Sequence, residues 1–197
     1  TGGVPERSGR GLFADALVTR FPLLPVEEEG RLNDPRLREN FVERIFAYRR
    51  LSALFAPRWT MGDVVGFHTA HKLTLMAHSP VAYRHLGQLV AKARHLSRSE
   101  LMAQYEAAFM AAMAVVATPK RHANVLQHMV GYFKKSLDSD ARTELLSLID
   151  EHRLGRVPLI VPMTLVRHHV RRASVPYLAG QTYLDPHPRE LSLRNHV

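Results

Sequence analysis

A chain of 197 residues, 46% of them hydrophobic, can bury one substantial domain with an appendage. It contains no cysteine, which excludes disulfides, thiolate metal sites and cysteine-ligated iron–sulfur clusters on this chain. The formal net charge is +9, and the longest apolar run, residues 107–117, is too short to cross a bilayer, so the expected protein is basic, membrane-free and cytoplasmic.

The first residues, TGGVPERSGRG, carry no apolar signal core and do not begin with Met, so the chain is expected to start upstream. The glycines of Ser8–Gly11 could form a small anion nest. Arg10–Arg20 reads as a short helix with Leu12, Phe13, Ala16 and Leu17 on one side. FPLLPV (Phe21–Val26) reads as a strand bounded by prolines and parted from the rest of its sheet. It should be extended and poorly covered, exposing Phe21, Leu23 or Leu24. Glu27, Glu28 and Glu29 could hold a metal or do acid–base work, although such runs are more often solvated or paired with arginines.

Asp34 and Pro35 supply the N-cap and first-turn residue of the first long helix, in which Leu37, Phe41, Ile45, Tyr48, Leu51 and Phe55 keep helical spacing until Pro57. Thr60 and Asp63 form a capping box for a second helix carrying Val64, Val65, Phe67, His68, His71, Leu75 and His78. Ser79-Pro80 opens a third, with Leu86, Leu89, Val90 and Ala93 inside. Ser97 and Glu100 box a fourth, with Leu101, Tyr105, Phe109, Ala112 and Val116 inside. Thr118 and Pro119 open a fifth. Asp138 or Ser139 caps a sixth, with Leu145, Leu148, Ile149 and His152 inside and Gly155 at C′. In Val157–Arg172 two prolines four apart resist the interior of a regular helix, so Pro162 is placed at the first helical position with Met163, Val166 and Val170 facing in. The proline-rich tail should wrap the bundle. The fold class is therefore mainly α: a bundle of about seven helices over residues 36–172, without a sheet, preceded by a short remnant of an α/β domain.

Charge is distributed unevenly. Residues 1–59 hold 10 Lys+Arg and 8 Asp+Glu, whereas residues 60–197 hold 17 and 10 together with all 12 histidines. Residues 64–99, 107–137 and 152–184 contain no carboxylate and carry five, four and five Lys+Arg. Long acid-free stretches point to a polyanionic partner. The fifth helix sharpens this. Val125, Leu126, Met129, Val130 and Phe133 make a core stripe, while Arg121, Asn124, His128, Tyr132 and Lys135 recur on the other side. Cationic, amide, imidazole and aromatic groups without a carboxylate suit phosphate and base contacts. The plainer account is a basic, solvated helix side.

Other constellations are weaker. His68 and His71, three apart, could ligate a metal, but there is no HExxH and no carboxylate nearby after Asp63, so no metal site is assigned. His168 and His169 point about 100° apart on a helix and cannot chelate alone. No Walker loop, GxGxxG or GxSxG occurs.

GRGLFADAL and PLLPVEEEGRLNDPRLRENFVERIFAYRR, over about residues 7–48, resemble the C-terminal end of the thiouracil/thiouridine desulfidase (TudS-like) family. FHTAHKLTLMAHSP, YRHLGQLVA, HANVLQHMVGYFK, GRVPLIVPMTLVRHHVRR and YLAGQTYLDPHPRELSLRN, over about residues 58–197, resemble the YbgA-like domain of unknown function commonly fused behind it. The resemblance implies a desulfidase-like remnant with a connecting helix at 1–57 and an all-helical YbgA-like domain at 58–197. In that family the desulfidase half holds a [4Fe–4S]-type cluster through three cysteines and removes sulfur from thiolated pyrimidines. Those cysteines have no counterpart here, and the catalytic acid and serine of that half map to no residue of this chain. The cluster is thus implied for a preceding domain, and no cofactor for this chain.

The implied role is an RNA-binding accessory domain that holds thiolated RNA, expected to be tRNA carrying 4-thiouridine, for a desulfidase domain on the same polypeptide. Lys72, Arg84, Lys92, Arg94, Arg121, Lys134, Lys135, Arg167, His168, Arg171 and Arg172 would supply affinity. Asn124, His128 and Tyr132 would meet sugar or base. The alternatives are an enzyme in its own right using the histidines and Asn124, and a protein-interaction domain for an acidic partner.

Overall fold

A computed structural model of the protein describes residues 11–197, so Ser8–Arg10, and with them the anion nest expected there, lie outside the described residues. Among the described residues ten α-helices follow one another: α1 (Leu12–Arg20), α2 (Pro35–Leu54), α3 (Met61–Ala70), α4 (Lys72–His78), α5 (Pro80–Ala91), α6 (Arg98–Met113), α7 (Pro119–Phe133), α8 (Ser139–Arg153), α9 (Ile160–Arg172) and α10 (Pro176–Ala179). Short 3-10 turns fill several connections, and no strand occurs among the described residues. The protein is mainly α.

Capping chemistry explains most helix starts. The Asp34 carboxylate accepts from the Arg36 and Leu37 amides, and Pro35 occupies the first turn, where a missing N–H costs nothing. Thr60 with Asp63, and Ser97 with Glu100, form reciprocal capping boxes. Thr118 accepts from Arg121 N and Asp138 from Ala141 N. At the end of α8, Gly155 adopts φ +74°. Its N–H donates to His152 O, and Arg156 N–H donates to Glu151 O, the paired bonds of a Schellman stop.

Two apolar cores share α4 as a common wall. Leu73 and Ala77 face one core with α7, α8, α9, Leu178, Tyr183 and Leu184, whereas Leu75 faces the other with Ala47 and Leu51 of α2 and the inner residues of α3, α5 and α6. The tail after α9 is structural, because Leu178, Tyr183 and Leu184 are buried.

Three expectations are corrected. Phe21–Val26 is not a strand. It turns directly after α1, with Leu24 N–H donating to Phe21 O, because Pro22 and Pro25 have no N–H to give a ladder. Phe21 is 49% exposed as expected, but Leu23 packs on the second core.

The single helix expected through His78 is broken at His71. Gln181 Nε2 donates to Thr69 O at 2.9 Å and Gln181 Oε1 accepts from Leu73 N at 3.2 Å. Thr182 N and its hydroxyl both reach Ala70 O. The tail thereby supplies the backbone partners that a continuous helix would have supplied itself.

The buried face of α2 follows the apolar stripe read from spacing only in part: Leu51 is buried and Tyr48 and Phe55 pack on the second core, but polar residues share the face. Glu39, Asn40, Glu43, Ala47 and Leu51 are buried, whereas Ile45 is 42% exposed. Carboxylates can occupy that face because cations meet them there, as described below. The three N-terminal glutamates are unremarkable by comparison: Glu27 pairs with Arg31 at 3.1 Å and lies 3.9 Å from Arg44.

Candidate functional site

The three acid-free stretches meet on one side of the bundle. From α7, the Tyr132 ring, 43% exposed, stacks on Tyr177 of α10 with centroids 5.1 Å apart. His128, one turn earlier, lies edge-on to Tyr132 at 5.4 Å. From the first residue of α4, the Lys72 ammonium sits 5.8 Å from the Tyr177 ring centre. Next to Lys72, His68 of α3 stacks on Tyr83 of α5 at 5.7 Å with the rings nearly parallel. Tyr83 extends the patch towards Tyr177, whose hydroxyl is pushed above the ordinary phenol range by burial and then by Tyr132 and Tyr83.

These side chains form a strip of three phenols, two imidazoles and an ammonium, with no carboxylate among them. Burial, then the nearby Lys72 charge, lowers the pKa of both His68 and His128. Near neutral pH the strip therefore offers flat, uncharged rings beside one fixed cation. That combination suits stacking of unpaired bases next to a phosphate.

Basic groups surround the strip at the α7, α9 and α10 end. His169 stacks on Phe133 at 5.8 Å and His168 lies 5.1 Å from His169, so the end of α9 abuts the end of α7. Lys134 and Lys135 follow α7 directly, and Arg171 and Arg172 close α9; with His168, all are exposed. Arg84 adjoins Tyr83 on the exposed side of α5, whereas Lys92 and Arg94 lie beyond the far end of that helix, roughly 15 Å along its axis. Asn124 is exposed one turn before His128.

Two expected contacts are turned inward. Arg121 Nη1 donates to His78 O at 2.7 Å, capping the last carbonyl of α4. Arg167 donates to Leu184 O and lies 3.4 Å from Asp185, and among the described residues it is the one of the fourteen proposed contacts that is ion-paired. The helical spacing from Arg167 to Arg171 is real, but the returning tail brings an acceptor and a carboxylate to the first of the pair. Of His68 and His71, considered as metal ligands, His71 is a core histidine and His68 is half-buried, and each has a partner for Nδ1. His68 Nδ1 pairs with the Tyr105 hydroxyl at 3.2 Å, and His71 Nδ1 donates to Phe67 O at 2.8 Å.

A buried ionic network that sequence reading did not find joins the tail to α2 and α4. Arg194 Nε donates to Glu39 at 3.1 Å, and its Nη1 donates to Tyr183 O at 2.7 Å. Arg194 Nη2 lies 3.8 Å from Glu43, whose other neighbour is His78 Nε2 at 3.4 Å. His187 Nε2 stands 3.7 Å from Glu39. His78 Nδ1 faces Val115 O at 2.6 Å; a carbonyl only accepts, so that nitrogen carries a proton. Burial opposes a charge on His78, but Glu43 and the Val115 carbonyl outweigh it and raise its pKa. Burial likewise opposes ionised Glu39, yet His187 and Arg194 hold its carboxyl far below the usual range. His122, bonded through Nδ1 to the Tyr183 hydroxyl at 2.9 Å, is driven the other way, to neutrality, by burial and the Arg194 charge. The network fixes the tail to α2 and α4.

Residues 72–188 match the family model described as a protein of unknown function, DUF1722. The chain is also 33% identical over 165 residues to the uncharacterized protein YbgA of Escherichia coli (strain K12), a match spanning 83% of this chain and 98% of that protein. This chain belongs to the DUF1722 family. No solved structure gives a significant match. The DUF1722 match contains Lys72, Tyr83, His128, Tyr132 and Tyr177 of the strip, and His78, His122, Tyr183 and His187 of the network, whereas Glu39, Glu43 and Arg194 lie outside it.

Proposed function

We propose that this chain is an RNA-binding domain that uses the Tyr132–Tyr177 strip as a stacking surface and the cations around it as phosphate contacts. The observation carrying this reading is the meeting of all three acid-free stretches at one strip of rings beside Lys72, with His128 and Tyr132 exposed and His68, Tyr83 and Tyr177 half-buried. Splayed bases stack on phenol and imidazole faces, while Lys134, Lys135, Arg171 and Arg172 meet the backbone. Neutralising four phosphates gives a log–log salt slope of about −3.

The finer part of the proposal rests on the resemblance of residues 7–48 to the end of a desulfidase. The RNA is then tRNA carrying 4-thiouridine, presented to a cluster-bearing desulfidase domain on the same polypeptide in the cytoplasm. This chain has no cysteine to hold the cluster and should not desulfurise thiouridine by itself.

The test is a polarisation titration of labelled tRNA at several salt concentrations. The parent should give a slope near −3, and Arg171→Ala/Arg172→Ala should flatten it by roughly two contacts' worth. A slope near zero would leave only a basic, solvated helix side, and equal binding of any acidic polymer would replace RNA with an acidic protein partner.

A further inference from the structure

The side chains at the opposite end of α7, around its first turn, carry a separate inference that does not rest on RNA binding. The start of α2, the start of α7, the end of α8 and the last residues of the tail enclose an open cleft of about 610 Å³. Arg36, His152, Arg153, Arg156, Asn195 and His196 supply its polar side chains. Beneath it is a water-sized space of about 10 Å³, which Arg36 and His152 also line, together with Glu39 and His122. The tail is held across the opening by Leu159 N–H donating to Val197 O.

His152 is the unusual member. It is 2% exposed and lies in the walls of both spaces. Its Nδ1 lies 3.1 Å from Val157 O, so Nδ1 bears the hydrogen, and Nε2 is left with a lone pair and no hydrogen-bond partner. Burial and the positive charge of Arg36 hold the ring neutral against the pull of that carbonyl. Nε2 is therefore a buried acceptor.

Beside it, Arg36 is exposed and has no ion-pair partner among the described residues, whereas Arg153 and Arg156 are already paired with Asp150 at 2.6 Å and Glu151 at 2.9 Å. A second open cleft of about 620 Å³, near Trp59, contains no comparable unpartnered buried group, so size alone does not single out the first.

We propose that this cleft binds a phosphorylated ligand carrying a hydroxyl close to its phosphate, with Arg36 donating to the phosphate and His152 Nε2 accepting the hydroxyl hydrogen. A sugar phosphate and a mononucleotide share this chemistry. Sulfate does not, because it brings only acceptors and leaves Nε2 unmatched.

The experiment uses the full 197-residue chain with labelled histidine at pH 8, where phosphate is largely dianionic. Ribose 5-phosphate, adenosine 5′-monophosphate and sulfate are titrated separately by calorimetry and by nitrogen NMR. The two organic phosphates should bind at least tenfold more tightly than sulfate and should move the His152 Nε2 resonance. Arg36→Gln, at an exposed position, should lose tenfold or more of that affinity with an unchanged melting temperature, and Tyr132→Ala should leave it intact. Tighter binding of the nucleotide assigns the source to nucleotides, and equal binding assigns it to the sugar phosphate alone. The proposal is overturned if all three bind equally, if none binds at millimolar concentration, if the Nε2 resonance stays fixed, or if Arg36→Gln binds as the parent does.

Discussion

Replacing Arg194 by Met tests whether the buried network holds the tail on the bundle. The guanidinium is 3% exposed and stands between two buried carboxylates, at 3.1 Å from Glu39 and 3.8 Å from Glu43. Met keeps much of the apolar volume and removes the charge, so Glu39 and Glu43 are left facing only His187 and His78. Breaking a buried pair from one side costs about 3–5 kcal/mol. For a chain of this size, 1 kcal/mol moves the melting temperature by about 2–4 °C, so a fall of roughly 10–15 °C is expected. Urea unfolding of parent, Arg194→Met, Glu39→Gln and the double variant at pH 7 closes a double-mutant cycle. The double variant should recover part of the loss, since neither charge then lacks its partner. A loss under about 1 kcal/mol for Arg194→Met, as for an exposed pair, would refute the reasoning.

Stability should fall on both sides of neutrality. His71, held to about 4 by burial, and His122, held well below 6.5, stay neutral in the folded chain while the unfolded chain takes up protons near 6.5. Acidification below about 6.5 then favours unfolding, and His71 alone removes roughly 3 kcal/mol by about pH 4. His78 acts in the opposite direction: with its folded pKa raised, its contribution is present below 6.5 and is lost as pH rises through the folded value. Urea midpoints from pH 4.5 to 9 should show a maximum, with His78→Gln flattening the alkaline side; a midpoint constant from pH 5 to 6.5 would contradict this. Gln181→Ala should cost about 2–4 kcal/mol by stranding Thr69 O and Leu73 N–H, with faster hydrogen exchange at the Leu73 amide as the local signature. Unchanged exchange there would assign the helix break to another cause.

What was legible in the sequence was local. Caps act within three residues, so Asp34, Thr60, Ser97, Thr118 and Asp138 announced their helices, and the two faces of α7 followed from spacing alone. What was hidden depends on the tail. The burial of Glu39 had no local sign because its partner Arg194 lies 155 residues away. The break at His71 was invisible because Gln181 bonds across 108 residues to Leu73 N. Arg167 read as a free cation because nothing local reveals Leu184 O. Tyr177 was not singled out, although its place in an acid-free stretch was a usable signal. His152 was correctly placed inside, but a lone pair without a partner leaves no mark in a sequence.

The most direct measurement of the central claim compares Tyr132→Ala with Tyr132→Phe for binding of fluorescein-labelled tRNA at fixed, moderate salt. Tyr132 is exposed and stacked on Tyr177, so its removal leaves the core untouched while deleting one stacking face. Base–aromatic stacking contributes about 1–3 kcal/mol per base, so Tyr132→Ala should weaken binding by roughly 5- to 150-fold. Tyr132→Phe, which retains the ring, should stay within about twofold of the parent. Equal affinity of parent, Phe and Ala variants would contradict the claim that this strip receives the bases of an RNA.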